Sequence, residues 1–222
     1  VFSYYGTKKR ISKHYPSPIY DKIIEPFCGA AQYSLYGDNW KKDVHLNDKY
    51  SIICYIWDFL INQASKRDIL SLPDMEKGDK IDDFASISEQ EKWLIGFCIN
   101  SASSQPKKTV AKYNSWNRLK KEIAENLYKI RHWKITNISY DEIKNEKATW
   151  FIDPPYQYGG QWYHSSVSNK HIDYDDLSKW CKNRNGQIIV CENSKAEWLP
   201  FENLIDMNGQ LHKTKEVIWK NQ

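Results

Sequence analysis

Apolar residues in this chain fall into short runs whose spacing alternates between the two periods of regular structure. The run from Asp21 to Cys28 (Asp-Lys-Ile-Ile-Glu-Pro-Phe-Cys) predicts a short buried strand that ends in a turn at Gly29, with Ala30 to Tyr36 as the following helix. Val44-His45-Leu46-Asn47-Asp48 predicts a second strand ending in an acid, and Tyr50 to Asn62 a strongly apolar helix. Residues 66–88 are polar and irregular and read as loop-rich. Ser88 has the character of a helix cap, opening a helix that runs to about Ile99. The stretch from Ser101 to Ser115 is polar, contains Pro106 and reads as an exposed loop. Leu119, Ile123, Leu127 and Ile130 then repeat at helical spacing within Trp116 to Arg131, opposite a basic face. Ile135 to Ile138 and Ala148 to Ile152 read as strands around a short acidic turn or helix at 140–145. Gln157 to Asn169 has no period and is rich in Gly, Ser and aromatic residues, as in a mobile loop. Asp173 to Asn183 predicts a helix, Gln187 to Cys191 a strand introduced by Gly186, and Val217-Ile218-Trp219 the last strand. There is no internal repeat and no clear interdomain linker.

The order strand, glycine turn, helix, strand, acid, with about twenty residues from turn to acid, is that of the nucleotide-binding half of a Rossmann-like α/β sheet. A length of 222 residues suits one domain with a substantial core, with or without a small insert. Charged residues make up 27% and apolar ones 41%, the balance of a soluble globular protein. No apolar run approaches the roughly 18–20 residues of a membrane span. Val1 to Arg10 is aromatic and basic without the apolar stretch of a signal peptide, so a cytoplasmic location is expected. The five cysteines form no C-x-x-C pair and read as reduced core thiols. The six histidines are scattered without an H-E-x-x-H pattern, and no metal site is expected. The net charge of +4 is compatible with a polyanionic partner but does not require one.

The most specific run is Asp153-Pro154-Pro155-Tyr156, directly after the apolar stretch Ala148 to Ile152. Proline has no N–H for a sheet ladder, fixes its own φ and holds the preceding residue extended. The strand must therefore stop in a rigid turn that carries one carboxylate, two outward carbonyls and one aromatic ring. Ligands of open α/β sheets bind outside that end of the strands. Glu25-Pro26-Phe27-Cys28-Gly29 supplies a second such end, with Gly29 allowing a tight turn and close approach to a ligand. Asp48 is placed to accept hydrogen bonds from ribose hydroxyls. No P-loop lysine pattern is present, so a nucleoside cofactor without a phosphate chain fits better than ATP.

With Phe2-Ser3-Tyr4-Tyr5-Gly6-Thr7-Lys8 ahead of these elements, and Lys215-Glu216-Val217-Ile218-Trp219-Lys220-Asn221 after them, the chain resembles the Dam-type (alpha-group, D12 class) DNA adenine-N6 methyltransferases over nearly its whole length. The family motifs F-x-Y-x-G-x-K, D/E-P-F-x-G, an acid after the second strand, and D-P-P-Y occur in order. Two features depart from the pattern. Ala30 and Ala31 stand where the family often has a second glycine, and the recognition insert is short.

The resemblance implies a Rossmann-like methyltransferase fold with a mostly parallel seven-stranded sheet. Residues 1–60 and 132–222 would form the catalytic domain and 61–131 a small helical target-recognition insert. It implies S-adenosylmethionine as cofactor and double-stranded DNA as partner, with the target adenine flipped out of the duplex because N6 cannot be reached inside the stack. Asp153 and the Pro154 carbonyl would accept hydrogen bonds from the two N6 hydrogens, with Pro155 completing the turn. Tyr156 would stack on the base for about 1–3 kcal/mol. Tyr4, Gly6, Lys8, Glu25, Pro26, Phe27, Gly29, Asp48 and Asp153 would form the cofactor site. Lys8 would lie near the cofactor carboxylate or DNA, unless it is simply a solvated charge. Lys107, Lys108, Lys112, Tyr113, Asn114, Trp116 and Arg118 are the candidate DNA-contacting residues, with lysines on phosphate and Asn114 or Arg118 on a base edge. Trp162 and Tyr163 read either as a lid over the flipped base or as a packed surface loop. A monomer is expected, and restriction protection, phage self-marking and replication control all stay open as roles. Cytosine N4, an RNA adenine, or a DNA-binding module without catalysis remain alternatives.

Overall fold

The computed structural model describes residues 2–100, 103–111, 114–208 and 213–221. Strands β1 (Lys22–Glu25), β2 (Asp43–Asn47), β3 (Lys134–Thr136), β4 (Ala148–Ile152), β5 (Gly186–Asn193), β6 (Glu202–Asn208) and β7 (Lys213–Lys220) form one sheet in the order β3-β2-β1-β4-β5-β7-β6. The first five strands pair in parallel, and β7 runs antiparallel to β5 and β6. This is the Rossmann-like α/β architecture with a mostly parallel seven-stranded sheet expected from the sequence. The central pair is β1 beside β4, with Ile23 opposite Thr149 and Ile24 opposite Trp150. Chain order leaves this pair in opposite directions, which makes it the switch point where such sheets bind ligands.

Side chains alternate across the central strands, so the sheet is covered on both faces, as parallel sheets require. Ile23, Leu46, Phe151 and Ile189 pack in one core layer, and Ile24, Trp150, Ile152 and Val190 in the other. Helices α1 (Gln32–Leu35), α2 (Ser51–Asp58), α3 (Lys66–Ser71), α4 (Glu89–Cys98), α5 (Trp116–Asn126) and α6 (Tyr174–Lys182) complete the chain. The first core layer continues from the sheet into the 61–131 segment through Leu94, Phe97 and Trp116.

Several elements depart from the sequence reading. Helix α1 is only four residues long, since Tyr36 is extended and Gly37 takes a positive φ of 56°. Helix α2 runs on into a π-helical turn, Phe59–Gln63, where Arg131 donates to the carbonyls of Leu60 and Ile61 at 3.0 and 2.8 Å. These are carbonyls that a helix end otherwise leaves unpaired. The stretch expected to be loop at 66–88 contains α3, which opens on a reciprocal capping box between Ser65 and Asp68. The Ser-x-x-Asp spacing was the available signal. Helix α4 starts on its Ser88–Glu91 capping box as expected. Strand β6 was not anticipated, because Glu202 to Asp206 are exposed or only partly buried and a bulge between Asn203 and Ile205 breaks its register with β7. In the 157–169 segment, short 3-10 turns form at Gly160–Trp162 and Ser165–Val167, and Asn169 Nδ2 donates to Gln157 O at 2.9 Å.

Candidate active site

Four stretches of backbone converge at the carboxyl ends of β1 and β4. The turn after β1 is tied to the end of β2. Cys28 N donates to Asn47 O at 2.8 Å, and Gly29 N donates to Asp48 Oδ2 at 2.9 Å. Trp57 Nε1 donates to Gly29 O at 2.8 Å. Gly29 has φ +44°, and a Cβ there would stand 3.0 Å from Tyr4 Cδ1. Ala31, in the stretch where the family often has glycine, takes φ +46°. It is the only non-glycine with positive φ among the described residues. That conformation costs a residue with a Cβ about 1–2 kcal/mol.

The amino-terminal stretch lies against this turn. Tyr4 is buried with its ring edge-on to Phe97, centroids 5.5 Å apart. Gly6 has φ +76°, and a Cβ would meet Tyr163 Oη at 2.3 Å. Lys8 is buried, not solvated. Its Nζ lies 3.0 Å from Asp153 Oδ1 and 3.5 Å from Glu216 Oε1, and donates to Tyr156 Oη at 2.5 Å. Tyr156 donates in turn to Glu216 Oε1 at 2.6 Å. The turn after β4 is braced by Tyr174, whose hydroxyl donates to Pro155 O at 2.6 Å. A fourth stretch, around residues 163–172, closes over the others.

These elements bound a cavity of about 270 Å³. Of the expected site, Tyr4, Gly6, Lys8, Glu25, Pro26, Phe27, Gly29, Asp48, Asp153 and Pro155 line it; Pro154 and Tyr156 do not. Tyr163 lines the cavity and meets Tyr5 edge-on at 5.0 Å, while Trp162 is 65% exposed. Sequence reasoning missed Ile138, Tyr140 and Ile172, which also line it. No motif marks them. They arrive because the segments after β3 and before α6 pass over the switch point.

Three acids in the cavity wall are shifted by burial. Asp48 is pushed up to about 6, with the amides of Tyr50, Gly29 and Lys49 holding it back. Its two oxygens thus already tie the β1 turn to the start of α2, through Gly29 N and Tyr50 N, each at 2.9 Å. Glu25 is pushed up to about 8 by burial, against hydrogen bonds from Ser34 N and Oγ at 2.9 and 2.5 Å. Burial takes Asp153 up to about 6; Lys8 opposes the rise and Glu216 adds to it. Burial alone would lower Lys8, but Asp153 and Glu216 hold it above the ordinary lysine value.

The expected DNA-contacting group is divided. Trp116 must be corrected: it is fully buried, and its Nε1 donates to Pro73 O at 2.8 Å, so it offers no ring face to a base. Asn114 is exposed, but its side chain caps α5, with Oδ1 accepting from Trp116 N at 2.9 Å and Nδ2 donating to Met75 O. Lys107, Lys108 and Arg118 are exposed; Lys108 pairs with Asp82 at 2.9 Å and Arg118 with Glu122 at 2.5 Å. Lys112 and Tyr113 lie outside the described residues. Among the described residues, no helix is long and apolar enough to cross a membrane, and no group of His, Cys, Asp and Glu is arranged to hold a metal ion. All five cysteines are buried and unpaired.

No family model matches the chain, and no curated protein matches it. Similar solved structures include a conserved hypothetical protein from Streptococcus pyogenes (8% identity, TM-score 0.37). Others are a candidate methylase from Haemophilus influenzae (10%, 0.38) and a candidate methyltransferase from Pseudomonas syringae (10%, 0.34). Each likeness covers 90% of this chain and 86% of the other. Superpositions this loose do not bear on function.

Proposed function

We propose that the chain is an S-adenosylmethionine-dependent methyltransferase acting on the N6 amino group of a flipped-out adenine in DNA. The observation that carries this is the position of Asp153. It directly follows the central strand β4 and lines the switch-point cavity together with Glu25 and Asp48. The lining chemistry fits the cofactor. Three carboxylates suit its ribose hydroxyls and positive charges, and Phe27, Tyr4 and Tyr140 suit its base. Gly6 and Gly29 make room that a Cβ would fill. Bound there, the cofactor supplies an electrophilic methyl on a sulfonium. Tyr4, Gly6, Glu25, Phe27, Gly29 and Asp48 would hold it.

The residues of the β4 turn do the rest. Adenine N6 is a weak nucleophile because its lone pair is delocalised into the ring. Asp153 and the Pro154 carbonyl accept its two hydrogens, drawing the nitrogen toward a tetrahedral shape. Held this way, the nitrogen lone pair would point at the methyl carbon that the cofactor would supply, with the thioether as leaving group. The nitrogen then sheds its positive charge as a proton passed through Asp153 to water. The gain is positioning and stabilisation of charge growing on nitrogen. The 61–131 segment is the proposed target-recognition insert, with Lys107, Lys108 and Arg118 on DNA phosphate.

The test is tritium transfer from labelled cofactor into unmethylated genomic DNA, with nucleoside analysis, for the natural chain and Asp153→Ala. Label in N6-methyladenine that Asp153→Ala abolishes is the expected result. Label in N4-methylcytosine, or in RNA alone, would reassign the acceptor. Cofactor binding with no transfer to any nucleic acid would sink the proposal.

A further inference from the structure

We propose that Glu216 is a positioning residue of the acceptor site: it anchors the Tyr156 hydroxyl and shares the Lys8 ammonium with Asp153, leaving net negative charge where the acceptor nitrogen becomes positive. This rests on the methyltransferase reading above. Glu216 lies on β7, opposite Asn193 of β5 and Ile205 of β6, and is buried. An isolated carboxylate there would be costly. Three donors converge on its Oε1: Tyr15 Oη at 2.7 Å, Tyr156 Oη at 2.6 Å and Lys8 Nζ at 3.5 Å.

Charge decides what this arrangement does. Lys8 alone, 3.0 Å from Asp153, would neutralise the carboxylate that must receive the acceptor amine. A second carboxylate on the same ammonium changes the balance. Two acidic side chains against one ammonium bias the cluster toward negative charge, which favours charge growing on a nearby nitrogen. The cluster is also rigid. Tyr156 is fixed at its hydroxyl by a donor on one side and an acceptor on the other, so its ring has one orientation relative to Asp153. Glu216 does not line the cavity, so cofactor binding does not depend on it directly.

The charged and titratable groups facing Asp153 are Lys8, Tyr156 and Glu216, with Tyr163, Glu25, Tyr15, Cys191 and Glu192 around them. Glu216 is the one that raises Asp153 most after burial itself. Removing its charge should therefore lower the pH at which Asp153 titrates.

The experiment is a carbon-13 NMR titration of labelled aspartate carboxyls, with Asp153 assigned through Asp153→Asn, in the natural chain and in Glu216→Gln. The Asp153 midpoint is expected to fall by about half a pH unit or more in Glu216→Gln. Steady-state methyl transfer by the same variant should show kcat down roughly thirtyfold, cofactor Kd within about threefold and the acidic limb of the kcat profile moved to lower pH. An unmoved midpoint overturns the proposal, as does a loss of rate wholly accounted for by weaker cofactor binding. If Glu216→Gln does not fold, Tyr156→Phe cuts the same anchor while keeping the ring. Its kcat should fall about tenfold, and an unchanged kcat would overturn the proposal. A natural chain that transfers no methyl defeats the functional reading, while the titration still shows whether Glu216 sets the charge at Asp153.

Discussion

Glu25 shows how burial turns one carboxyl into a pH-dependent load on the fold. Its folded pKa of about 8 lies above the 4.5 of a free glutamate, so the folded state holds the proton more tightly. The stability that this gives is complete below 4.5 and is lost as pH rises through 8. Glutamine mimics the protonated form and can still accept from Ser34. Glu25→Gln should therefore melt near the natural chain at pH 5 and increasingly above it by pH 9. Thermal melts across that range check this, and a constant difference would refute it. His45 acts in the other direction. Burial depresses it from 6.5 to about 4, so its contribution is present above 6.5 and lost as pH falls through 4. Glu25 also faces the cavity. A cationic cofactor beside it should drive off its proton, so calorimetric binding of S-adenosylmethionine at pH 7 should release close to one proton. Heats that do not vary with the ionisation enthalpy of the buffer would rule that out.

At the scale of elements, the strand that follows β4 depends on a missing side chain. Gly186 opens β5 with φ +117°, and a Cβ there would stand 2.0 Å from Ala148 O, a backbone atom of β4 that cannot swing away. Gly186→Ala is expected to cost at least about 2 kcal/mol in urea unfolding. A loss below about 0.5 kcal/mol would mean that the two strands separate easily there. Helix starts are cheaper to disturb. The exposed box at Ser65 and Asp68 leaves Ser65→Ala costing about 1 kcal/mol. The two effects differ because one is a clash with fixed backbone and the other is a hydrogen bond that water replaces.

On the whole-molecule scale, the 61–131 segment and the sheet share one core layer, and this separates two groups of residues that the sequence had joined. Trp116 is packed in that layer, so Trp116→Ala should cost about 3–5 kcal/mol of stability. Lys107 is exposed, and Lys107→Glu should leave the melting temperature unchanged while weakening DNA binding alike on all sequences. The slope of log affinity against log salt should fall by about one for each DNA phosphate that the variant no longer neutralises. Filter binding at several salt concentrations reads this, and an unchanged slope for Lys107→Glu would move the DNA surface elsewhere.

The elements legible in the sequence were those made by near neighbours. A proline pair stops β4 at Asp153 whatever surrounds it, a glycine allows the turn at 29, and Ser88 with Glu91 caps its own helix. The acids at the ends of β1, β2 and β4 followed from those strands and the order of an α/β sheet. Strand β6 and the lining residues Ile138, Tyr140 and Ile172 carried no such local mark. Nor did the state of the charges. Lys8 and Tyr156 meet across 148 residues, and Tyr15 and Glu216 across 201. The sequence left Lys8 either beside the cofactor or DNA or simply solvated, and it grouped Trp116 with the DNA-contacting residues. Only the packing of distant strands buries the first between two carboxylates and the second in the core. Local backbone chemistry is set by residues adjacent in the chain, whereas burial and pairing depend on which surfaces the finished sheet brings together.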